Sequence, residues 1–117
     1  MNDTLAQAIA RQEGWYEKGA VPNRCQRNNN PGNLDYGPFT KGMGATGTDG
    51  RFAIFADAKD GWNALYALLI LEYANLSISA AINKYAPNDE NNTLAYIQNV
   101  CEFTGRKATD LVKDCLL

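Results

Sequence analysis

The sequence predicts a mainly α-helical (α+β) domain: a helical bundle with a small Gly-rich lobe of loops and one β-hairpin. Three observations carry that prediction. Apolar residues recur at helical spacing from Leu5 to Glu13, and again throughout the chain after Phe55. Eight of the ten glycines fall between Gly14 and Gly50, together with Pro22, Pro31 and Pro38, so no long helix crosses that stretch. The chain has 117 residues, 45% of them hydrophobic and 21% charged, which suits one domain, 1–117, with a single core.

The elements follow in order. Thr4 with Gln7 three residues later is a capping box ahead of an apolar run, so a helix is expected over residues 5–13, with Gly14 as its stop. Residues 14–50 read as loops, closed by a turn at Thr48-Asp49-Gly50 and the strand-like run Arg51 to Phe55. Asp57 can cap a helix from Ala58 to Tyr73, with Trp62, Leu65, Leu69 and Tyr73 on one face. Ser77 or Ser79 starts the next, through Ile78, Ala81, Ile82 and Tyr85, and Pro87 ends it. Asp89 to Thr93 opens a helix bearing Leu94, Ile97, Val100 and a core Cys101. Thr109-Asp110 starts a last helix with Leu111, Val112 and Cys115.

Composition excludes whole classes of chemistry. There is no histidine, which removes Ser-His-Asp and Cys-His catalysis and most zinc sites. Acid–base work then falls to carboxylates, Tyr, Lys or Cys. A net charge of −2 lacks the basic footprint of a nucleic-acid protein, but it leaves room for a carbohydrate substrate. Cys25, Cys101 and Cys115 have neither metal-ligand nor redox spacing. Cys25 and Cys115 could pair under oxidation, and Cys25 lies between Arg24 and Arg27, where a reactive thiolate is conceivable. No cofactor or metal is implied. Met1 to Thr4 lacks the basic start of a signal peptide, and the longest apolar stretch, Ala64 to Leu71, is too short to span a bilayer. The expectation is synthesis in the cytoplasm, no membrane insertion, and delivery elsewhere by another route.

Glu13 is the principal chemical candidate. Leu5, Ile9 and Glu13 recur at i, i+4, i+8 and share the apolar face of the first helix. Burial there and the negative helix end both disfavour the charged form, which is the condition for a general acid at neutral pH. The run Arg27-Asn-Asn-Asn30-Pro-Gly-Asn33-Leu34 suits a series of tight turns and could also present amides to polar substrate groups. Trp15, Tyr16, Tyr36, Phe39 and Phe55 in the Gly-rich lobe could offer a sugar ring a flat face. The aromatics at helical spacing after Phe55 are expected in the core.

Taken together, these residues resemble the lysozyme-like superfamily of peptidoglycan-cleaving enzymes, in particular small phage and prophage proteins. The likeness rests on the helix ending Glu13-Gly14, on Asn29 to Leu34, on Asp49 to Phe55, and on Tyr85-Ala86-Pro87 before Glu90 to Thr93 and Tyr96-Ile97. It implies a lysozyme-like fold in which Glu13 is the catalytic acid/base for the bond between N-acetylmuramic acid and N-acetylglucosamine, by transglycosylation or hydrolysis. By the same resemblance, Asn30, Gly32, Asn33, Tyr36 and Tyr85 contact substrate, and Asp35, Asp49 or Glu17 could supply a second carboxylate. The implied partner is the glycan strand, with the enzyme a monomer acting in the periplasm or cell wall after lysis, virion delivery or secretion. A secreted effector would add an immunity protein. The alternative expectation is a non-catalytic virion or cell-wall-binding protein on the same fold.

Overall fold

The computed structural model describes residues 2–116. It is a mainly α-helical chain with one small two-stranded sheet. The chain forms two compact units: one is Ile9–Ala67, and the other combines Met1–Ala8 with Leu68–Leu117.

In the unit Ile9–Ala67, helix α1 (Leu5–Glu13) ends where the glycine predicts. Gly14 takes φ +98°, Trp15 N–H donates to Ala10 O at 2.9 Å, and Gly14 N–H donates to Arg11 O at 3.2 Å. This paired closure turns the chain sharply, and a Cβ at Gly14 would be strained by the positive φ. Helix α2 (Arg24–Arg27) and helix α3 (Pro38–Gly42) interrupt the stretch read from sequence as loops. Both are too short to show periodicity. Yet α2 carries a capping box, with Gln26 N–H donating to Asn23 Oδ1 and Asn23 N–H donating to Gln26 Oε1. Strands β1 (Gly47–Thr48) and β2 (Ala53–Ile54) pair antiparallel, with Gly47 opposite Ile54 and Thr48 opposite Ala53. The expected turn joins them: Asp49 Oδ1 accepts from Arg51 N–H and Phe52 N–H, and Gly50 takes φ +114°.

Helix α4 (Ala58–Leu68) starts at the expected cap, with Asp60 N–H donating to Asp57 Oδ1 at 2.9 Å. Gly61 lets α4 approach the Asn-rich turn: a Cβ there would overlap the Asn29 carbonyl oxygen and stand 2.9 Å from Pro31 Cδ. Ile9, Ala10, Cys25, Leu34, Ala53, Phe55, Ala64 and Leu65 are the buried apolar residues of this unit.

In the other unit, Leu69–Tyr73 is one π-helical turn, which continues α4 to the expected end with a wider winding. Helix α5 (Ile78–Tyr85) is capped by Ser77, whose Oγ accepts from Ala80 N–H. Helix α6 (Thr93–Thr104) buries Thr93, Tyr96, Ile97, Val100 and Thr104. Leu94, assigned by sequence to that stripe, faces out and is 65% exposed, while Cys101 is only half-buried. The expected last helix is instead a 3-10 turn, Val112–Asp114. Its backbone is committed elsewhere: Leu111 forms an antiparallel bridge with Ser77, Ile78 N–H donates to Asp110 O, and Val112 N–H donates to Leu76 O. Among the described residues no helix is long and apolar enough to cross a membrane.

Candidate functional site

Glu13 is the last residue of α1, and three ties fix the backbone around it. The Gly14 closure stops the helix. Asn23 Nδ2 donates to Gly14 O at 2.8 Å, and the Cys25 thiol donates to Glu13 O at 3.6 Å. The start of α2 is thereby fastened to the end of α1, and Gln26 Nε2 extends the fastening by donating to Trp15 O and Glu17 O. Glu13 is half-buried, consistent with its place on the apolar face below Leu5 and Ile9, both fully buried. Its Oε1 accepts a hydrogen bond of 3.1 Å from Asn33 Nδ2. The structure thus brings together the two candidates that the sequence placed 20 residues apart.

The other asparagines of the turn do different work. Asn30 is corrected from a substrate ligand to a structural residue. It has no exposed surface; its Nδ2 donates to Leu34 O and Ala53 O, and its Oδ1 accepts from Leu34 N–H. Every polar group of that side chain is spent inside the protein. Asn29 Nδ2 donates to Phe55 O, and Asn28 Nδ2 donates to Asp49 Oδ2. The Asn run therefore holds the hairpin, and only Asn33 reaches Glu13 among these side-chain bonds. Asn33 takes φ +49°, a conformation that asparagine tolerates better than most residues. Gly32 is buried within the turn.

Asp49 is also corrected, from candidate second carboxylate to the anchor of the hairpin tip. Arg24 Nε and Nη2 donate to it at 2.5 and 3.0 Å, Asn28 Nδ2 donates at 2.8 Å, and two backbone N–H groups add to these. The Arg24 guanidinium, followed by Asn28, holds this carboxyl far below the usual carboxylate range, and Asp49 in turn raises Arg24. Its lone pairs are filled, which leaves little for attack on a sugar or for activating water. Asp35 is an exposed partner of Arg51, at 3.3 Å. Glu17 Oε2 accepts from Asn23 Nδ2 at the surface.

The Cys25 thiol is pushed up to about 11, first by burial and then by the negative Glu13. It is a neutral donor to Asn23 Oδ1 and Glu13 O, so the conceivable reactive thiolate is overturned. All three cysteines are free thiols.

The lobe aromatics divide. Phe55 is core, while Tyr36 and Tyr16 stay about two-fifths exposed. Trp15 meets Trp62 edge-on, with centroids 6.0 Å apart, and Trp62 lies 6.3 Å from Tyr66. These rings of α4, expected in the core, are only half-buried. Tyr85 belongs to the other unit, where its ring packs 6.1 Å from Tyr73.

Sequence reasoning missed Asn23, Arg24 and Asn28. The Asn23-x-x-Gln26 capping pattern could have revealed the first. The ion pair of Arg24 with Asp49 spans 25 residues and leaves no local signal. Among the described residues no group of three or more His, Cys, Asp or Glu could hold a metal ion. No protein-family model matches the chain, and no curated protein or solved structure matches it either.

Proposed function

We propose that this chain is a small lysozyme-like enzyme that degrades peptidoglycan, cleaving the bond between N-acetylmuramic acid and N-acetylglucosamine with Glu13 as general acid/base. One observation carries the reading: a half-buried carboxyl at the end of α1 is held by an amide from a tight turn. Such a contact orients a carboxyl for acid/base work. A phage or prophage setting, with action in the periplasm or cell wall, extends the sequence resemblance.

The step needs one carboxyl. Glu13 in its acid form gives its proton to the glycosidic oxygen as the bond from C1 to that oxygen breaks. The resulting carboxylate takes the proton of the muramic acid C6 hydroxyl, whose oxygen closes on C1. A 1,6-anhydro end is formed, with no water consumed and Glu13 returned to its acid form. Hydrolysis would instead call on a second carboxylate. Asp49 is filled by five donors, Asp35 is paired with Arg51 and Glu17 accepts from Asn23 at the surface, which supports the single-carboxyl route.

The test is release of soluble fragments from purified sacculi by wild type and Glu13→Gln. The expected result is a loss of about 10²–10⁴ in rate for Glu13→Gln, with unchanged thermal unfolding. Equal release by both proteins would remove Glu13 from the chemistry. Binding without release by either would leave a cell-wall-binding protein.

A further inference from the structure

Asn30 and Asn33 sit three residues apart in one turn, and their amides are held in opposite ways. Asn30 uses both ends of its amide in three hydrogen bonds, so a half-turn about χ2 would break all three. Asn33 uses one end. Its Nδ2 donates to Glu13 Oε1, while its Oδ1 is buried with no hydrogen-bond partner among the described residues. A buried acceptor without a partner is uncommon in folded proteins and calls for a reason.

Building on the proposed function, we infer that Asn33 is a positioning residue whose amide reverses as Glu13 gains and loses its proton. With Glu13 ionised, Nδ2 donates to the carboxylate, as observed. With Glu13 protonated, its hydroxyl becomes a donor, and a half-turn about χ2 brings Oδ1 round to accept from it. Because Oδ1 has no other partner, the reversal exchanges one hydrogen bond for another and breaks nothing else. No proton leaves Asn33; the proton that moves is the one Glu13 gives to the glycosidic oxygen and regains from the sugar hydroxyl. A guanidinium could not follow this cycle, because it has donors only and holds the ionised form, as Arg24 holds Asp49. The amide keeps Glu13 in one orientation through both half-reactions.

Four other titratable groups, Arg11, Tyr16, Cys25 and Glu17, lie at this end of α1. Arg11 stacks over the Tyr16 ring, the Cys25 thiol stays neutral below about 11, and Glu17 is the remaining carboxylate. A Glu17→Gln background therefore isolates the Glu13 titration. In that protein, the Asn33 side-chain amide is followed by nitrogen-edited NMR through the carboxylate range. The expected result is a contact between the Nδ2 protons and the Glu13 side chain at high pH. That contact disappears at low pH, with the same midpoint as the Glu13 carboxyl carbon. An unchanged contact at both ends would overturn the inference.

Kinetics supply the second arm. Asn33→Gly keeps the positive φ and removes the amide, while Asn33→Asp keeps the shape and removes the N–H. Both should lower kcat roughly ten- to hundredfold with little change in KM. Full activity in Asn33→Asp would mean that shape alone matters and would overturn the inference. The NMR arm needs no substrate, so the two readings fail separately. An amide that reverses in a protein that cuts nothing would remove the peptidoglycan reading and support the pairing. Cutting with a static amide would remove this inference alone.

Discussion

Asn30 shows how one side chain can stand in for missing secondary structure. The hairpin has only two residues per strand, and the segment Leu34 to Tyr36 beside it needs its backbone groups closed. Asn30 closes Leu34 N–H, Leu34 O and Ala53 O from inside the core. Asn30→Ala would leave these three groups without their side-chain partner, at a cost of about 2–4 kcal/mol. Chemical denaturation measures this, and the loss should exceed that of an alanine at exposed Asn83. At this scale the sequence was partly legible. Glu13 stood out because its place relative to Leu5 and Ile9 is local and periodic. The role of Asn30 did not, because its partner Ala53 lies 23 residues away and the same Asn-rich run suits both a turn and a binding surface.

At the scale of elements, the legible features were those written in neighbouring residues. Thr4 and Gln7 form the expected capping box, with Thr4 N–H donating to Gln7 Oε1 and Gln7 N–H donating to Thr4 Oγ1. Asp57 and Ser77 start their helices where expected. Helices α2 and α3, of four and five residues, fall below the length at which periodicity can be read. The last helix failed because pairing of Leu111 with Ser77 overrides local propensity. The close approach of α4 to the Asn-rich turn was equally invisible, since Gly61 sits in an otherwise ordinary helical pattern. Gly61→Ala tests that contact. Helix propensity alone would favour alanine by up to about 1 kcal/mol. The overlap with the Asn29 carbonyl should reverse the sign and destabilise by roughly 1–3 kcal/mol. A more stable variant in a thermal melt would show that the approach is slack.

At the scale of the whole molecule, stability against acid should carry the mark of one group. The Asp49 carboxyl is held low by Arg24 and Asn28 in the folded state. A depressed folded value means that the unfolded chain binds the proton more readily. The contribution of Asp49 is therefore fully present above its unfolded value, about 4, and is lost progressively as the pH falls below that. Asp49→Asn should flatten the dependence of unfolding midpoint on pH in that acid window, leaving the slope above it unchanged. An identical slope in both proteins would mean that the Arg24 pair is too exposed to matter.

The same ion pair bears on the proposed chemistry, because it fills Asp49 and so supports the proposal that Glu13 acts without it. That claim is tested most directly by the mass of the fragments that wild type releases from peptidoglycan. The account predicts muropeptides ending in 1,6-anhydro-N-acetylmuramic acid, absent from a Glu13→Gln digest. Fragments carrying a free reducing end, heavier by one water, would contradict it and require a second catalytic group.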